Sequence, residues 1–266
     1  VVTNDEYFQA LKELVNRRDQ LVKSRTRCKN QLHKLLHDQY PCYKKFFSDP
    51  FGATALAFWN KYPHPSLLEG VGSKRLASFL NKTSRNMSSS KAELILSLVD
   101  KKQPLNLDSN INLIVIRQII EQLHQIDNHI VEMERIIAET LKQSDTYLET
   151  LPGVGSVTAA CIVARIGSIE KFSSASKIAR HAGIAPEDDS SGRTKRQKRS
   201  KSGDRQLNAA IHRIALNQIS VSKNGTPKCP IAYNYYQRKV SEGKTRLSAL
   251  TCLKRRLCDI IYAMLR

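Results

Sequence analysis

The chain has 266 residues, and its 43 Lys and Arg against 24 Asp and Glu give a formal net charge of +19. With 41% hydrophobic and 25% charged residues, the composition is typical of a globular protein with a hydrophobic core and argues against a disordered chain. No run of 18 apolar residues is present, which excludes a membrane-spanning helix from this sequence.

The positive charge is concentrated in the second part of the chain. Residues 1–146 hold 21 basic and 16 acidic residues, whereas residues 147–266 hold 22 basic and eight acidic residues, a net charge of +14. This excess predicts nucleic acid as the main partner, because binding to a polyanion releases its counterions. An anionic membrane is the alternative, but the basic run at 193–201 has no apolar residue to insert into lipid.

The cysteines and histidines do not form a metal-binding pattern. The six cysteines contain no Cys-X-X-Cys pair, and His33 and His37 lie one helical turn apart without a third ligand nearby. We therefore predict no metal site and no cofactor within this chain. The cysteines are interpreted as free thiols of a protein in a reducing cytoplasm.

Two apolar patterns predict long helices at residues 4–38 and 109–143. In the first helix, Arg18 and Arg25 interrupt a seam of Leu and Cys, and they need partners or a route to solvent. The second seam repeats at alternating spacings of three and four: Ile116, Ile119, Leu123, Ile126, Ile130, Met133 and Ile137. The pattern favours a coiled coil, formed as an antiparallel hairpin or between protomers, with an ordinary helical bundle as the alternative.

The remaining segments are also predicted to be helical, so the expected fold class is all-α. Residues 41–106, punctuated by five prolines, form a helical lobe inserted between the coiled-coil segments 1–40 and 107–146. Residues 147–266 form a C-terminal domain of short helices with a loop at 186–203. We find no run of alternating apolar and polar residues that would indicate a sheet.

The motif Leu-Pro-Gly-Val-Gly at 151–155 indicates a tight turn before a helix. Glycines at these positions let peptide N–H groups approach a phosphate, as in a helix-hairpin-helix that clamps the DNA backbone. Gly153, Gly155 and Ser156 are therefore predicted DNA contacts, although a purely structural turn is the alternative. A second copy at 68–72 lacks the proline and is interpreted as structural.

A dense basic segment follows Ser191 and Gly192. Seven of the 13 residues from 193 to 205 are basic and one is acidic, which suits phosphate contact, although a solvated loop is the alternative. The predicted DNA contacts are Arg193, Lys195, Arg196, Lys198, Arg199, Lys201 and Arg205. A serine beside a flexible glycine and several cations is also a candidate nucleophile for phosphoryl transfer.

The order of the motifs along the chain resembles that of a known protein family. After Leu-Pro-Gly-Val-Gly come Arg165-Ile166-Gly167, Ala182-Gly183-Ile184-Ala185-Pro186, Ser191-Gly192 and Ser200-Lys201-Ser202-Gly203. This order resembles the C-terminal domain of the Piv/MooV-type insertion-sequence transposases, which are serine-dependent, bridge-RNA-guided recombinases with a RuvC-like domain. Residues 21–32 are similar to the entry of that family's coiled coil, so the resemblance covers most of the chain.

The resemblance implies a prokaryotic, cytoplasmic enzyme that cuts, exchanges and rejoins DNA strands. It implies that Ser191 becomes covalently attached to DNA, with Ser190 the neighbour to test second. The helix-hairpin-helix and the basic loop would hold the DNA. The coiled coil would mediate assembly into a dimer or tetramer and contact a structured guide RNA.

The resemblance also implies Mg²⁺ bound by acidic residues of a RuvC-like domain. Nothing in residues 1–266 matches that domain, and Asp188 and Asp189 are interpreted as solvated loop residues. We therefore expect this chain to lack the magnesium half of the active site and to be inactive alone. A non-catalytic helix-hairpin-helix binding module and a basic coiled-coil scaffold are the alternatives.

Overall fold

The structure of the chain is a computed structural model that describes residues 4–83, 89–99, 107–144, 146–188, 197–198 and 202–266. The described residues form ten α-helices: α1 (Asn4–Gln39), α2 (Ala53–Lys61), α3 (Ser73–Thr83), α4 (Ser89–Leu98), α5 (Leu107–Leu141), α6 (Ser156–Ile166), α7 (Ala175–His181), α8 (Arg205–Ile219), α9 (Pro230–Ser241) and α10 (Arg246–Leu265). The predicted all-α fold class is confirmed. None of these helices is long and apolar enough to cross a lipid bilayer.

A short antiparallel strand pair lies inside the segment that was predicted to be a loop. Strands β1 (Glu187–Asp188) and β2 (Gln197–Lys198) pair Glu187 with Lys198 and Asp188 with Gln197. Each strand has two residues, so neither is long enough to produce a recognisable alternation of apolar and polar residues.

The chain folds into two compact units, which are described separately. Unit I comprises residues 1–18 and 132–266, and unit II comprises residues 19–131. Parts of α1 and α5 belong to each unit. The predicted division into a coiled coil, a lobe and a C-terminal domain stays a prediction.

In unit I, the start of α1 pairs antiparallel with the end of α5. The Tyr7 hydroxyl donates to the Thr140 carbonyl oxygen at 3.4 Å, and Arg18 Nη2 lies 2.7 Å from Glu134 Oε1. Arg18 Nε also donates to that oxygen at 3.0 Å. A carboxylate partner thus satisfies a cation that would otherwise be costly at an apolar seam.

In unit II, the rest of α1 also runs antiparallel to the first part of α5. Arg25 Nη1 lies 3.1 Å from Asp127 Oδ1, so the second seam arginine also has a carboxylate partner. Leu32, Ile116 and Leu123 are buried, as their seam positions predict. The knobs-into-holes packing of a true coiled coil stays a prediction.

The core of unit II is rich in aromatic rings. Trp59 on α2 is fully buried, and its ring stacks on Phe46 with centroids 5.5 Å apart and meets Phe58 edge-on at 4.9 Å. The Trp59 indole N–H donates to the Pro50 carbonyl oxygen at 2.9 Å. This bond satisfies the polar atom of a large side chain that could not otherwise be buried without a penalty.

The core of unit I surrounds α6, a helix buried on nearly every side. Its Ala159, Ala160 and Ala164 are small and buried, which lets the surrounding helices approach closely. Gly167 ends the helix with a φ of +64°, a conformation that glycine adopts without a Cβ penalty. Helices α8 and α10 complete this core with buried leucine and isoleucine side chains.

Helix α7 ends in a Schellman motif centred on Gly183. The Gly183 N–H donates to the Arg180 carbonyl at 2.9 Å, and the Ile184 N–H donates to the Ala179 carbonyl at 2.8 Å. Gly183 has a φ of +63°, and Ile184 is buried beside it. This cap reverses the chain and starts the segment that leads toward Ser191.

The backbone of Gly203 crosses directly over Gly183. A Cβ on Gly203, whose φ is +103°, would lie 2.5 Å from the Gly183 nitrogen, and a Cβ on Gly183 would overlap the Ser202 carbonyl. The Asp204 N–H donates to the His181 carbonyl at 2.7 Å at the same crossing. Gly183 and Gly203, which flank the segment containing Ser191, are therefore in direct contact.

Replacing Trp59 tests the aromatic core of unit II. We expect Trp59→Ala to lower the free energy of unfolding by about 3–5 kcal/mol, because it removes a fully buried ring and leaves a cavity. Leu94→Ala in the same unit changes an exposed side chain and should have an effect below about 1 kcal/mol. Urea denaturation followed by circular dichroism measures both; equal effects would contradict the assigned core.

Replacing Gly203 tests the glycine crossing. Gly203→Ala places a methyl group against backbone atoms, which cannot move aside as a flexible side chain can. The control is Gly225→Ala, because Gly225 also has a positive φ (+78°) but open space around it. The control should cost about 1–2 kcal/mol of stability, and Gly203→Ala should cost clearly more in the same thermal denaturation. A similar loss in both variants would show that the crossing is not tight.

Candidate nucleic-acid interface

The predicted turn at 151–155 is present and precedes α6 directly. The Val154 N–H donates to the Leu151 carbonyl at 3.0 Å, and Gly153 has a φ of +87°. These features are those of a tight turn that needs glycine at its third position. Gly153 and Gly155 are exposed, and Ser156 is the half-buried first residue of the helix.

Helix α8 fixes this turn in place. The buried Gln218 side chain donates through Nε2 to the Pro152 carbonyl oxygen at 2.8 Å. A Cβ on Gly153 would lie only 3.2 Å from the Cβ of Asn217. The glycine is thus required both by its backbone conformation and by the closeness of α8, and the turn is presented on a rigid support.

The start of α6 offers peptide N–H groups to an external acceptor. Gly155 is the N-cap and contributes no capping side chain, while the Thr158 and Ala159 N–H groups both donate to its carbonyl oxygen at 2.9 Å. The first N–H groups of any helix lack intrahelical partners and favour anions. The segment before the turn is only a 3₁₀ turn at Leu148–Thr150, so the helix-hairpin-helix itself stays a prediction.

The second copy of the motif, in unit II, has the same backbone geometry. The Val71 N–H donates to the Leu68 carbonyl at 3.1 Å, Gly70 has a φ of +70°, and α3 begins at Ser73. The environment differs, because a Cβ on Gly70 would meet nothing within 4 Å. The motif Leu-X-Gly-Val-Gly therefore forms the same turn in both places, whether or not its second residue is proline.

Most of the predicted contacts in the basic loop lie outside the described residues. These are Arg193, Lys195, Arg196, Arg199 and Lys201. The candidate nucleophile Ser191 and its neighbour Ser190 also lie outside the described residues. Lys198 is placed only through its backbone, in β2 opposite Glu187. Arg205 is exposed at the first turn of α8. The predicted roles of these residues remain predictions.

The return of this segment into α8 is fixed by Asp204. Its Oδ1 accepts the N–H groups of Gln206 and Leu207, each at 2.9 Å, and therefore caps the helix. Its Oδ2 lies 3.6 Å from Arg165 Nη1. Arg165 Nη2 also donates to Asn16 Oδ1 at 2.5 Å, so this half-buried arginine has protein partners rather than an open face toward a phosphate.

Sequence reasoning missed a buried polar pair that supports the other end of the segment. Asn208 on α8 accepts a hydrogen bond from Lys254 on α10, and the Lys254 side chain is buried. The sequence did contain a signal for the burial of Lys254. This lysine stands four residues after Leu250 and three before Leu257, a spacing that places it on the apolar face of its helix.

The described residues also include a buried cysteine. Burial raises the pKa of the Cys258 thiol to about 12, so this cysteine stays protonated and weakly nucleophilic at neutral pH. In the described part of the chain, no group of three or more His, Cys, Asp or Glu side chains is placed to hold a metal ion.

The interface lies within a segment that is similar to a transposase family. Residues 145–237 match the profile of the Transposase IS116/IS110/IS902 family. This range contains the turn at 151–155, the glycine crossing, the segment that carries Ser191, and all of α8.

Individual relatives extend the similarity along the chain. An insertion element IS116 uncharacterized 44.8 kDa protein from Streptomyces clavuligerus is 28% identical over 264 residues, covering 98% of this chain and 64% of the relative. An insertion element IS900 uncharacterized 42 kDa protein from Mycobacterium paratuberculosis is 27% identical, covering 98% of this chain and 65% of the relative. A pilin gene-inverting protein from Moraxella bovis is 29% identical over 153 residues, 57% of this chain and 45% of the relative.

The chain thus spans slightly less than two thirds of the length of the insertion-element proteins that it matches end to end. Residues 145–237 carry the signature of the IS116/IS110/IS902 transposase family, within a chain that is similar to insertion-element proteins along nearly its whole length.

Proposed function

We propose that this chain is the nucleic-acid-binding part of a transposase or site-specific recombinase that uses Ser191 to cleave and exchange DNA strands. One observation carries the proposal: within the segment that matches the transposase family, Ser191 and Gly192 are followed by 13 residues of which seven are basic. Arginine and lysine at this density neutralise DNA phosphates, and a nearby hydroxyl can attack one of them.

The proposed chemistry is a transesterification that needs no oxidant or reductant. The Ser191 hydroxyl oxygen attacks a DNA phosphorus and loses its proton, forming a phosphoserine ester. The bond from that phosphorus to one strand oxygen breaks, and the departing oxygen takes up a proton. Attack by a strand hydroxyl on the phosphoserine reverses these steps and rejoins DNA, while cations stabilise the charge on the phosphate oxygens.

The turn at 151–155 would hold the DNA backbone near this segment. It is exposed and contacts Gln218 near the end of α8, whose first residue, Arg205, ends the basic run. The turn and the end of the basic run are thus about 20 Å apart along one helix. Binding at a helix N-terminus reads the phosphate backbone rather than base edges. This contact would therefore position DNA without specifying its sequence.

The resemblance supports further partners for the whole protein. We propose a structured guide RNA as a second ligand, with the long helices α1 and α5 as its contact and assembly surface, and a homo-oligomer as the working form. We also propose Mg²⁺ in a RuvC-like domain of the whole protein. The name of the pilin gene-inverting relatives supports inversion of a DNA segment as one outcome of the exchange.

A non-catalytic binding module is the second candidate function. Its support is the turn itself, which is rigid, exposed and suited to any nucleic-acid backbone. The two candidates differ in the role of Ser191, because a binding module needs the basic residues but not the hydroxyl.

Neutralising the basic run tests DNA binding. We expect the triple variant Arg193→Gln, Arg196→Gln and Arg199→Gln to weaken DNA binding and to lower the slope of log affinity against log salt by about 0.9 for each phosphate that the variant no longer neutralises. The control is the triple variant Arg135→Gln, Lys142→Gln and Lys171→Gln, which removes the same charge from exposed sites elsewhere in unit I. Titration of labelled duplex DNA at several salt concentrations measures both, and an equal weakening in the two variants would refute a specific role for the basic run.

Replacing Ser191 tests the nucleophile. In the full-length protein, we expect Ser191→Ala to retain DNA affinity but to lose both strand exchange and a covalent protein–DNA adduct on denaturing gels, because the attacking oxygen is gone. Ser190→Ala is the matched neighbour and should keep both. Recombination by Ser191→Ala would exclude this assignment, and loss of the adduct only in Ser190→Ala would move the nucleophile by one residue.

A further inference from the structure

The buried contact between Lys254 and Asn208 connects α10 to α8. Lys254 is only 6% exposed, and its Nζ donates to Asn208 Oδ1 at 2.6 Å. A lysine is rarely buried to this extent, because removing its ammonium from water is costly unless polar groups surround it. We therefore expect this lysine to have a structural role that an apolar side chain of the same size could not fill.

The amide of Asn208 continues the contact to the end of α7. Its Nδ2 donates to the carbonyl oxygen of Ala182 at 2.7 Å and to that of Gly183 at 3.3 Å. The preceding carbonyls of α7 are occupied by other donors: Ala179 accepts from Ile184 and Ala185, Arg180 from Gly183, and His181 from Asp204. Asn208 thus supplies the two remaining bonds at the point where the chain turns toward Ser191.

Lys254 and two backbone carbonyls together fix which way the Asn208 amide faces. An ammonium group only donates hydrogen bonds, so the atom of Asn208 that faces it must be the oxygen. The NH₂ group then points at the Ala182 and Gly183 carbonyls, which only accept. The lysine and the two carbonyls therefore favour the same orientation, and removing the lysine takes away the donor to the Asn208 oxygen.

We propose that Lys254 and Asn208 are positioning residues that lock the base of the segment carrying Ser191. They hold the outgoing end at Gly183, and the crossing with Gly203 and the Asp204–His181 bond hold the returning end. The catalytic part of this inference rests on the proposed role of Ser191. The locking itself is a property of described residues and is measurable without catalysis.

Two variants separate the lock from simple packing. Lys254→Met keeps the length of the side chain but removes the charge and the donor. Asn208→Asp keeps an oxygen for Lys254 and adds a charge partner, but it replaces the NH₂ donor with a second oxygen facing the Ala182 and Gly183 carbonyls. If Lys254 merely needed an acceptor, Asn208→Asp would be tolerated. If the base of the segment needs both the lysine donor and the amide donor, both variants loosen it.

A matched control exists at the other end of α8. There Lys228 Nζ donates to Asn217 Oδ1 at 3.0 Å, again a lysine–asparagine bond, but on the exposed surface. Lys228→Met therefore removes the same charge and the same type of bond from the same helix. It should leave the exchange of the Ile184, Ala185 and Asp204 amides as it is in the unaltered protein.

Hydrogen–deuterium exchange measures the lock directly. In Lys254→Met and Asn208→Asp, we expect the Ile184, Ala185 and Asp204 amides to exchange about ten-fold faster, because these amides are hydrogen-bonded across the base of the segment. Amides of α5 in unit I should keep their rates, which distinguishes local opening from global unfolding. Unchanged exchange at the three amides, or equal acceleration throughout unit I, would overturn the proposal.

The adduct assay then tests positioning of the nucleophile in the full-length protein. With DNA saturating, both variants should form the Ser191 adduct about ten-fold more slowly or worse, while DNA affinity stays within about two-fold, because a small displacement of a reacting group is costly. Faster exchange with an unchanged adduct rate would refute the positioning role. If the unaltered protein formed no Ser191-dependent adduct, the proposed function would fail, whereas the exchange result would still decide the lock.

Discussion

The approach of two backbones at Gly183 and Gly203 is the constraint on which the C-terminal part of unit I depends. Neither position has room for a side chain. A Cβ at either glycine would meet backbone atoms of the segment that contains the other glycine. The crossing joins the cap of α7 to the cap of α8, so two helices and both ends of the intervening segment share one contact.

The cations of this protein fall into two physical groups. Arg18 and Arg165 are largely buried and have acidic or amide partners, and Lys254 is buried against Asn208. These partners form hydrogen bonds or ion pairs with charged groups that water reaches poorly. The residues therefore stabilise the fold. The surplus that gives the chain its net charge of +19 lies elsewhere, above all in the basic run that ends at Arg205.

Local patterns in the sequence predicted much of the fold. The apolar seams predicted α1 and α5, and Leu32, Ile116 and Leu123 are buried as their spacing requires. Glycine in Leu-X-Gly-Val-Gly predicted the turns, and both copies adopt them. These features follow from sequence because helix periodicity and positive φ angles are set by neighbours in the chain.

The sequence by itself determined the all-α class, the two long helices, the turn before α6 and the concentration of charge around Ser191. The tertiary structure alone decided that the seam arginines meet Glu134 and Asp127, that Gly183 meets Gly203, and that Lys254 meets Asn208. The partners in these contacts stand 20 to 116 residues apart in the chain. No local spacing encodes such meetings, because they depend on how whole helices pack around a shared core.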